Sequence, residues 1–182
     1  MKNLLITGLL LFIQVFLFAQ VPEGLSKKNK IYLVRHAEKK SGSDPVLTEE
    51  GNTRAGALLQ VLKGKKIHHI YVTQFKRTQM TGDSLRLQMG IDTIQYKADT
   101  TGQDLYKMIL ANNEAGKSLL IIGHSNTVPK LIKKLGVINF DAKDIPDNEF
   151  DNLYLITYKK GKAVVKKMKY GAASAASATM KQ

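Results

Sequence analysis

Apolar positions fall into short unbroken runs separated by stretches with helical spacing. "KIYLVRH" is apolar from Ile31 to Val34, "IHHIYVTQ" spans Ile67 to Gln74, and "SLLIIGHS" runs from Ser118 to Ser125. Runs this short, rich in β-branched and aromatic residues, predict strands covered on both faces. Between the first two, Ala55, Leu58, Leu59 and Leu62 recur at i, i+3, i+4 and i+7, with Thr48 as N-cap, Glu49 and Glu50 in the first turn and Gly64 as a stop. A less regular helix is expected from Arg77 to Gln88, followed by a weak strand, "IDTIQYKA". Leu105, Met108 and Ile109 predict a helix that Gly116 would end; Val128, Leu131, Ile132 and Leu135 predict another, with Pro129 in its first turn. "NLYLITYKKGKAVVKKMKY" predicts a hairpin turning at Gly161. Alternating strands and helices imply an α/β fold: three-layer α/β/α, with a mostly parallel sheet and a C-terminal hairpin.

The two ends stand outside this pattern. Lys2 precedes the apolar run Leu4 to Phe18, and "AQVPEG" follows. That is the layout of a secretory signal peptide, and the run is too short and too interrupted by Gln14 for a spanning helix of roughly 20 apolar residues. Residues 1–20 are therefore expected to be a cleaved leader that leaves an exported protein, periplasmic or secreted, without stable membrane insertion. Residues 21–170 would be one domain, and the low-complexity segment 171–182 a disordered tail.

Composition narrows the chemistry. The chain has no cysteine, which excludes disulfides and thiolate metal sites. Its net charge of +13 favours anionic substrates, nucleic acid or an anionic surface. Much of that charge is expected on a solvated C-terminal surface, since seven lysines lie between Lys159 and Lys181. The interleaving of aromatics with Lys/Arg that a single-strand groove needs is not evident, so no nucleic acid is expected.

In an open parallel sheet, ligands bind beyond the carboxyl ends of the strands. "LVRH" places Arg35 and His36 at that edge, "IIGHS" places His124 there, and "YVTQFKRTQ" brings Arg77 to a helix start. A histidine at a strand end is more often structural than catalytic, and Arg77 alone could be a surface residue. The convergence of separate strand ends favours function. Two guanidinium forks suit phosphate oxygens, helix N-termini favour an anion, and a neutral imidazole can attack phosphorus, so the set describes a phosphoryl-transfer site. His68 and His69, in mid-strand, are read as structural or solvent-facing.

"LVRHAEK", with "PVLTEEGNTRAGAL", "KRTQMT" and "LIIGHSNTVPKLI", resembles the histidine phosphatase superfamily, the phosphoglycerate mutase-like fold, over most of Ile31 to Leu135. The resemblance implies that His36 is the nucleophile that becomes phosphohistidine, that Arg35 and Arg77 hold the phosphate, and that His124 stabilises the transition state. It does not supply the proton donor: Ser125 follows the second histidine where one branch has Asp, which leaves Asp104 and Glu38 as candidates. It also implies an open pocket that takes a phosphorylated small molecule or a phosphoprotein.

The sequence thus predicts an exported phosphomonoester hydrolase that needs no metal or other cofactor. A non-catalytic phosphate-binding module on the same fold is the alternative, and a polycation for nucleic acid or anionic surfaces a third. A phosphoglycerate mutase-type phosphotransferase fits less well, because its substrate is cytoplasmic and the chain is short.

Overall fold

The computed structural model describes residues 21–174; the expected leader, 1–20, and the tail from 175 onward lie outside the described residues. The elements are β1 (Lys30–Arg35), α1 (Glu49–Leu62), β2 (Ile67–Thr73), α2 (Lys76–Met89), β3 (Asp92–Tyr96), α3 (Gln103–Ala111), β4 (Ser118–Gly123), α4 (Val128–Lys134), β5 (Asn152–Lys159) and β6 (Lys162–Lys169). They form a six-stranded sheet of order β3-β2-β4-β1-β5-β6. β1 pairs in parallel with β4, β2 in parallel with β3 and β4, and the hairpin β5–β6 joins antiparallel beside β1. This is the predicted mostly parallel sheet with a C-terminal hairpin.

Alternate residues of the central strands feed two cores. Ile31 and Leu33 of β1, with Leu119 and Ile121 of β4, meet Leu105 and Ile109 of α3 and Leu131 and Ile132 of α4. Tyr32 and Val34, with Leu120 and Ile122, meet Leu58, Leu59 and Leu62 of α1 and Leu85 of α2. Burial of both faces is why these strands read as unbroken apolar runs rather than alternating ones.

Local chemistry sets the joins. The Thr48 hydroxyl accepts from Gly51 N–H at 3.1 Å to open α1. A Cβ on Gly51 would lie 2.1 Å from the Glu38 carbonyl oxygen, so only glycine lets the helix start approach the loop that follows β1. α3 stops at Ala111 rather than near Gly116: Asn112 Nδ2 donates back to the Met108 carbonyl at 2.7 Å. Asn113 then turns the chain at φ 49, a left-handed conformation that asparagine tolerates. Residues 171–174, expected to belong to a disordered tail, pack into the fold. The buried Ser174 hydroxyl accepts from the N–H groups of Phe150 (2.8 Å) and Asp151 (3.1 Å), and Arg54 donates to the Ala172 carbonyl.

Candidate functional site

β1 and β4 end in register, Arg35 opposite Gly123, and the ladder continues one residue further, with His36 N–H donating to the Gly123 carbonyl at 2.9 Å. The residues after the strands, His36 and His124, are thereby brought side by side, their ring centroids 5.4 Å apart and the rings tilted by 61°. β2 ends in the same direction, and Arg77 stands in the first turn of α2. Arg35, His36, Arg77 and His124 all line one open cleft of about 530 Å³. The side chains singled out from the sequence therefore converge, whereas His68 is exposed and His69 Nδ1 lies 2.6 Å from the buried Glu114 carboxylate.

His36 has a defined tautomer. Its Nδ1 is 2.8 Å from the Ala37 carbonyl oxygen; a carbonyl can only accept, so Nδ1 carries the proton and Nε2 keeps its lone pair. Burial, reinforced by the positive charges of Arg35, His124 and Arg77, lowers its pKa to about 3 against the opposing pull of the Ala37 bond. His124 is lowered to about 4, by burial first and then by Arg77 and Arg35. Both imidazoles are neutral near pH 7, and His36 holds the unprotonated nitrogen that a nucleophile needs.

The arginines are fixed from behind. Arg35 Nη1 donates to the carbonyls of Pro146 (2.8 Å), Asp147 (3.1 Å) and Glu149 (3.4 Å), and its guanidinium stacks 4.2 Å from the Phe150 ring centroid. Arg77 stacks 4.2 Å from the centroid of Phe75, with Nη1 3.9 Å from Asp44 Oδ1. His124 Nε2 is 3.1 Å from Thr73 Oγ1, which also meets Thr78 Oγ1 at 2.9 Å, and the Phe75 ring stands edge-on to His124 at 5.4 Å. Arg35 Nε, Arg77 Nε and His124 Nδ1 are buried without a hydrogen-bond partner. Two guanidinium groups and two imidazoles on one cleft are a side-chain set suited to a bound oxyanion.

Neither candidate proton donor lines this cleft. Glu38 is gripped by Arg54, with Nε 2.9 Å from both carboxylate oxygens and Nη2 2.7 Å from one; the Arg54 Nη1 clamps the Tyr170 and Ala172 carbonyls. Asp104 accepts from Lys97 N–H at the start of α3. The carboxylates that do line the cleft are Asp99, Asp144 and Asp147. Asp99 accepts from the N–H groups of Thr101, Gly102 and Asp104, and these bonds hold it below its usual range despite some burial. Asp144 pairs with Lys130 at 3.3 Å, whereas the Asp147 side chain is fully exposed, 3.7 Å from Arg35. Sequence reasoning missed Thr73, Phe75 and Phe150; Thr73, the last residue of β2, and Phe75, between it and Arg77, were findable from their place at the strand end, whereas nothing local marks Phe150.

The model of the histidine phosphatase superfamily (branch 1) matches residues 31–99. Among solved structures, the chain is similar to a protein assigned as the phosphohistidine phosphatase SixA from Agrobacterium tumefaciens, with TM-score 0.58 and 16% identity over 80% of this chain and 99% of that one. It is similar to a phosphoserine phosphatase from Entamoeba histolytica solved with phosphoserine, with TM-score 0.56 and 14% identity over 79% and 97%. A third likeness is to YhfR of Bacillus stearothermophilus, with TM-score 0.54 and 16% identity over 75% and 95%. No curated protein matches the chain. The resemblance drawn from the motifs is thus matched by a family model, and the fold is phosphoglycerate mutase-like.

Proposed function

We propose that this chain, which has the fold of the histidine phosphatase superfamily and its signature over residues 31–99, is a phosphomonoester hydrolase working through a phosphohistidine on His36. The observation that carries the reading is a neutral, lone-pair-bearing His36 in one cleft with the guanidinium groups of Arg35 and Arg77 and the imidazole of His124. His36 Nε2 attacks phosphorus; the P–N bond forms as the bond to the leaving atom, oxygen in an ester or nitrogen in a phosphoramidate, breaks, and the leaving group takes its proton from water. Arg35 and Arg77 hold the phosphoryl oxygens, and His124 meets the charge that develops on them. Water then attacks the phosphohistidine, releasing inorganic phosphate and restoring the imidazole.

In this reading no carboxylate of the cleft is held in place to protonate the leaving group: Asp99 is tied to backbone N–H groups, Asp144 pairs with Lys130, and Asp147 is fully exposed, 3.7 Å from Arg35. Substrates that depart readily are therefore favoured: aryl and acyl phosphates, and phosphoramidates such as a phosphohistidine on a partner protein. The open cleft suits a phosphoprotein as well as a small ester, and the SixA-like neighbours carry phosphohistidine in their names. The enzyme is exported and needs no metal in this reading. Turnover of nitrophenyl phosphate against an alkyl phosphate is the test: the aryl ester should be faster by at least about 100-fold, the lower end of what a general acid contributes, and His36→Ala should hydrolyse neither. The same lack of a carboxylate held in place as an acid favours a second reading, a phosphate-binding module without turnover. Tight phosphate binding with no hydrolysis of any ester would establish that one instead.

A further inference from the structure

The sheet edge opposite the cleft collects features the chemistry does not use. β1, β2 and β4 all begin there, with Lys30 and Ile67 both in register with Ser118. The β5–β6 turn lies there too, because Lys30 is opposite Thr157 and Lys159 is opposite Lys162. Each helix runs back from the cleft edge, so α1, α2 and α3 end there before the next strand starts.

Two kinds of side chain meet on this edge. Lys27, Lys28 and Lys30 lead into β1, Lys65 and Lys66 into β2, and Lys160 and Lys162 flank the hairpin turn; all are exposed. Lys66 and Lys160 hold left-handed backbone, at φ 52 and φ 49, where glycine or asparagine is the usual choice. The carboxylates nearby offset little of this charge. Glu114 is buried against His69, Tyr71 and Lys117, which leaves Asp92, at the start of β3, and Glu23 exposed. The second kind is apolar. Among the described residues, every exposed large hydrophobic side chain but Val46 belongs to this edge. Val61, Met89 and Leu110 stand in the last turns of α1, α2 and α3, with Leu87 beside Met89. Ile138 follows α4 two residues after Gly136, which abuts Pro22 and Ala163, and Val164 is near the hairpin turn.

We infer that this edge docks the protein on an anionic lipid surface, its lysines on the headgroups and its aliphatic side chains entering the interface between them. A soluble polyanion would account for the lysines alone; exposed aliphatics concentrated among them match the interfacial combination of apolar burial and attraction to anionic lipid. Docked this way, the protein presents its cleft away from the bilayer, across a sheet roughly 20 Å deep. The inference is independent of the phosphatase reading, because no residue of the cleft takes part.

The test is co-flotation of the full chain with phosphatidylcholine vesicles made with and without phosphatidylglycerol. Comparison within one chain keeps the contribution of residues 1–20 constant. Replacing Lys65, Lys66, Lys160 and Lys162 by glutamine should lower the partition coefficient on anionic vesicles by more than about 100-fold, at about fivefold per lysine, while hydrolysis of a soluble ester is unchanged. The same charge loss at Lys76, Lys97, Lys107 and Lys143 should change partition by less than about fivefold. Leu87→Ser with Met89→Ser and Ile138→Ser, charge unaltered, should weaken binding in a way that added salt does not mimic. Equal losses from the two lysine sets would overturn the inference in favour of general polycation behaviour. Binding to polyphosphate or DNA that exceeds vesicle binding and ignores the serine substitutions would overturn it in favour of a soluble polyanion.

Discussion

Acidification should weaken the fold through the two site histidines. His36 and His124 are 3% and 7% exposed, and their pKa values are held at about 3 and about 4, against about 6.5 in an unfolded chain. Depressed folded values mean that the unfolded chain takes up these protons first. The stability is therefore complete above about pH 6.5 and falls as pH drops toward the folded values. Between about pH 7.5 and about pH 5, each histidine is protonated only when unfolded over about 1.5 units. At about 1.4 kcal/mol per unit that is about 2 kcal/mol each and about 4 kcal/mol for the pair, a large share of a domain's 5–15 kcal/mol, roughly. Urea unfolding at the two pH values measures it, comparing the parent with His36→Asn, His124→Asn and the double variant. Asparagine does not titrate, so the double variant should lose about 4 kcal/mol less on acidification, and each single variant about half of that difference. Comparing losses across pH cancels whatever asparagine does to the packing, and it cancels the carboxylates common to all four proteins. A parent and double variant that weaken equally would refute the account of two neutral, buried imidazoles.

The other expectations concern the cleft and its supports. Arg77→Ala should raise KM as well as lower kcat, whereas His124→Ala should act mainly on kcat, by about 100- to 1,000-fold; the exposed His68→Ala should change kcat/KM by less than about threefold. Thr73→Val removes the hydroxyl that fixes His124 Nε2 and should lower kcat by about tenfold or more, with Thr73→Ser restoring it. Gly51→Ala forces a Cβ against the Glu38 carbonyl and should destabilise the fold by more than about 1 kcal/mol in urea titrations. Turnover should be indifferent to EDTA; loss restored by a divalent metal would contradict the metal-independent mechanism.

The sheet and the converging residues were legible because their signals are local. Unbroken apolar runs marked strands buried on both faces, and "VRH" and "GHS" directly followed those runs, so strand direction alone carried Arg35, His36 and His124 to one edge. Arg77 followed by the same logic from the end of β2. What stayed hidden depends on contacts between distant segments. Glu38 reads as a candidate acid from its place two residues after His36, but Arg54 takes its carboxylate from across the α1 packing. Phe150 and the Pro146 and Asp147 carbonyls reach Arg35 from more than a hundred positions away, in a segment with no periodic pattern. Residues 171–174 read as tail because small residues carry no burial signal, yet the Ser174 hydroxyl caps backbone at Phe150 and Asp151.

The central claim is a covalent phosphohistidine on His36, and trapping it is the most direct measurement. The parent protein is mixed briefly with an aryl phosphate, quenched in denaturant at alkaline pH, digested and read by mass spectrometry. The account predicts a phosphoryl group on the His36 peptide that survives base, is lost in acid, and is absent from His36→Ala. Turnover with the label on Ser125, or turnover that persists in a folded His36→Ala, would contradict it.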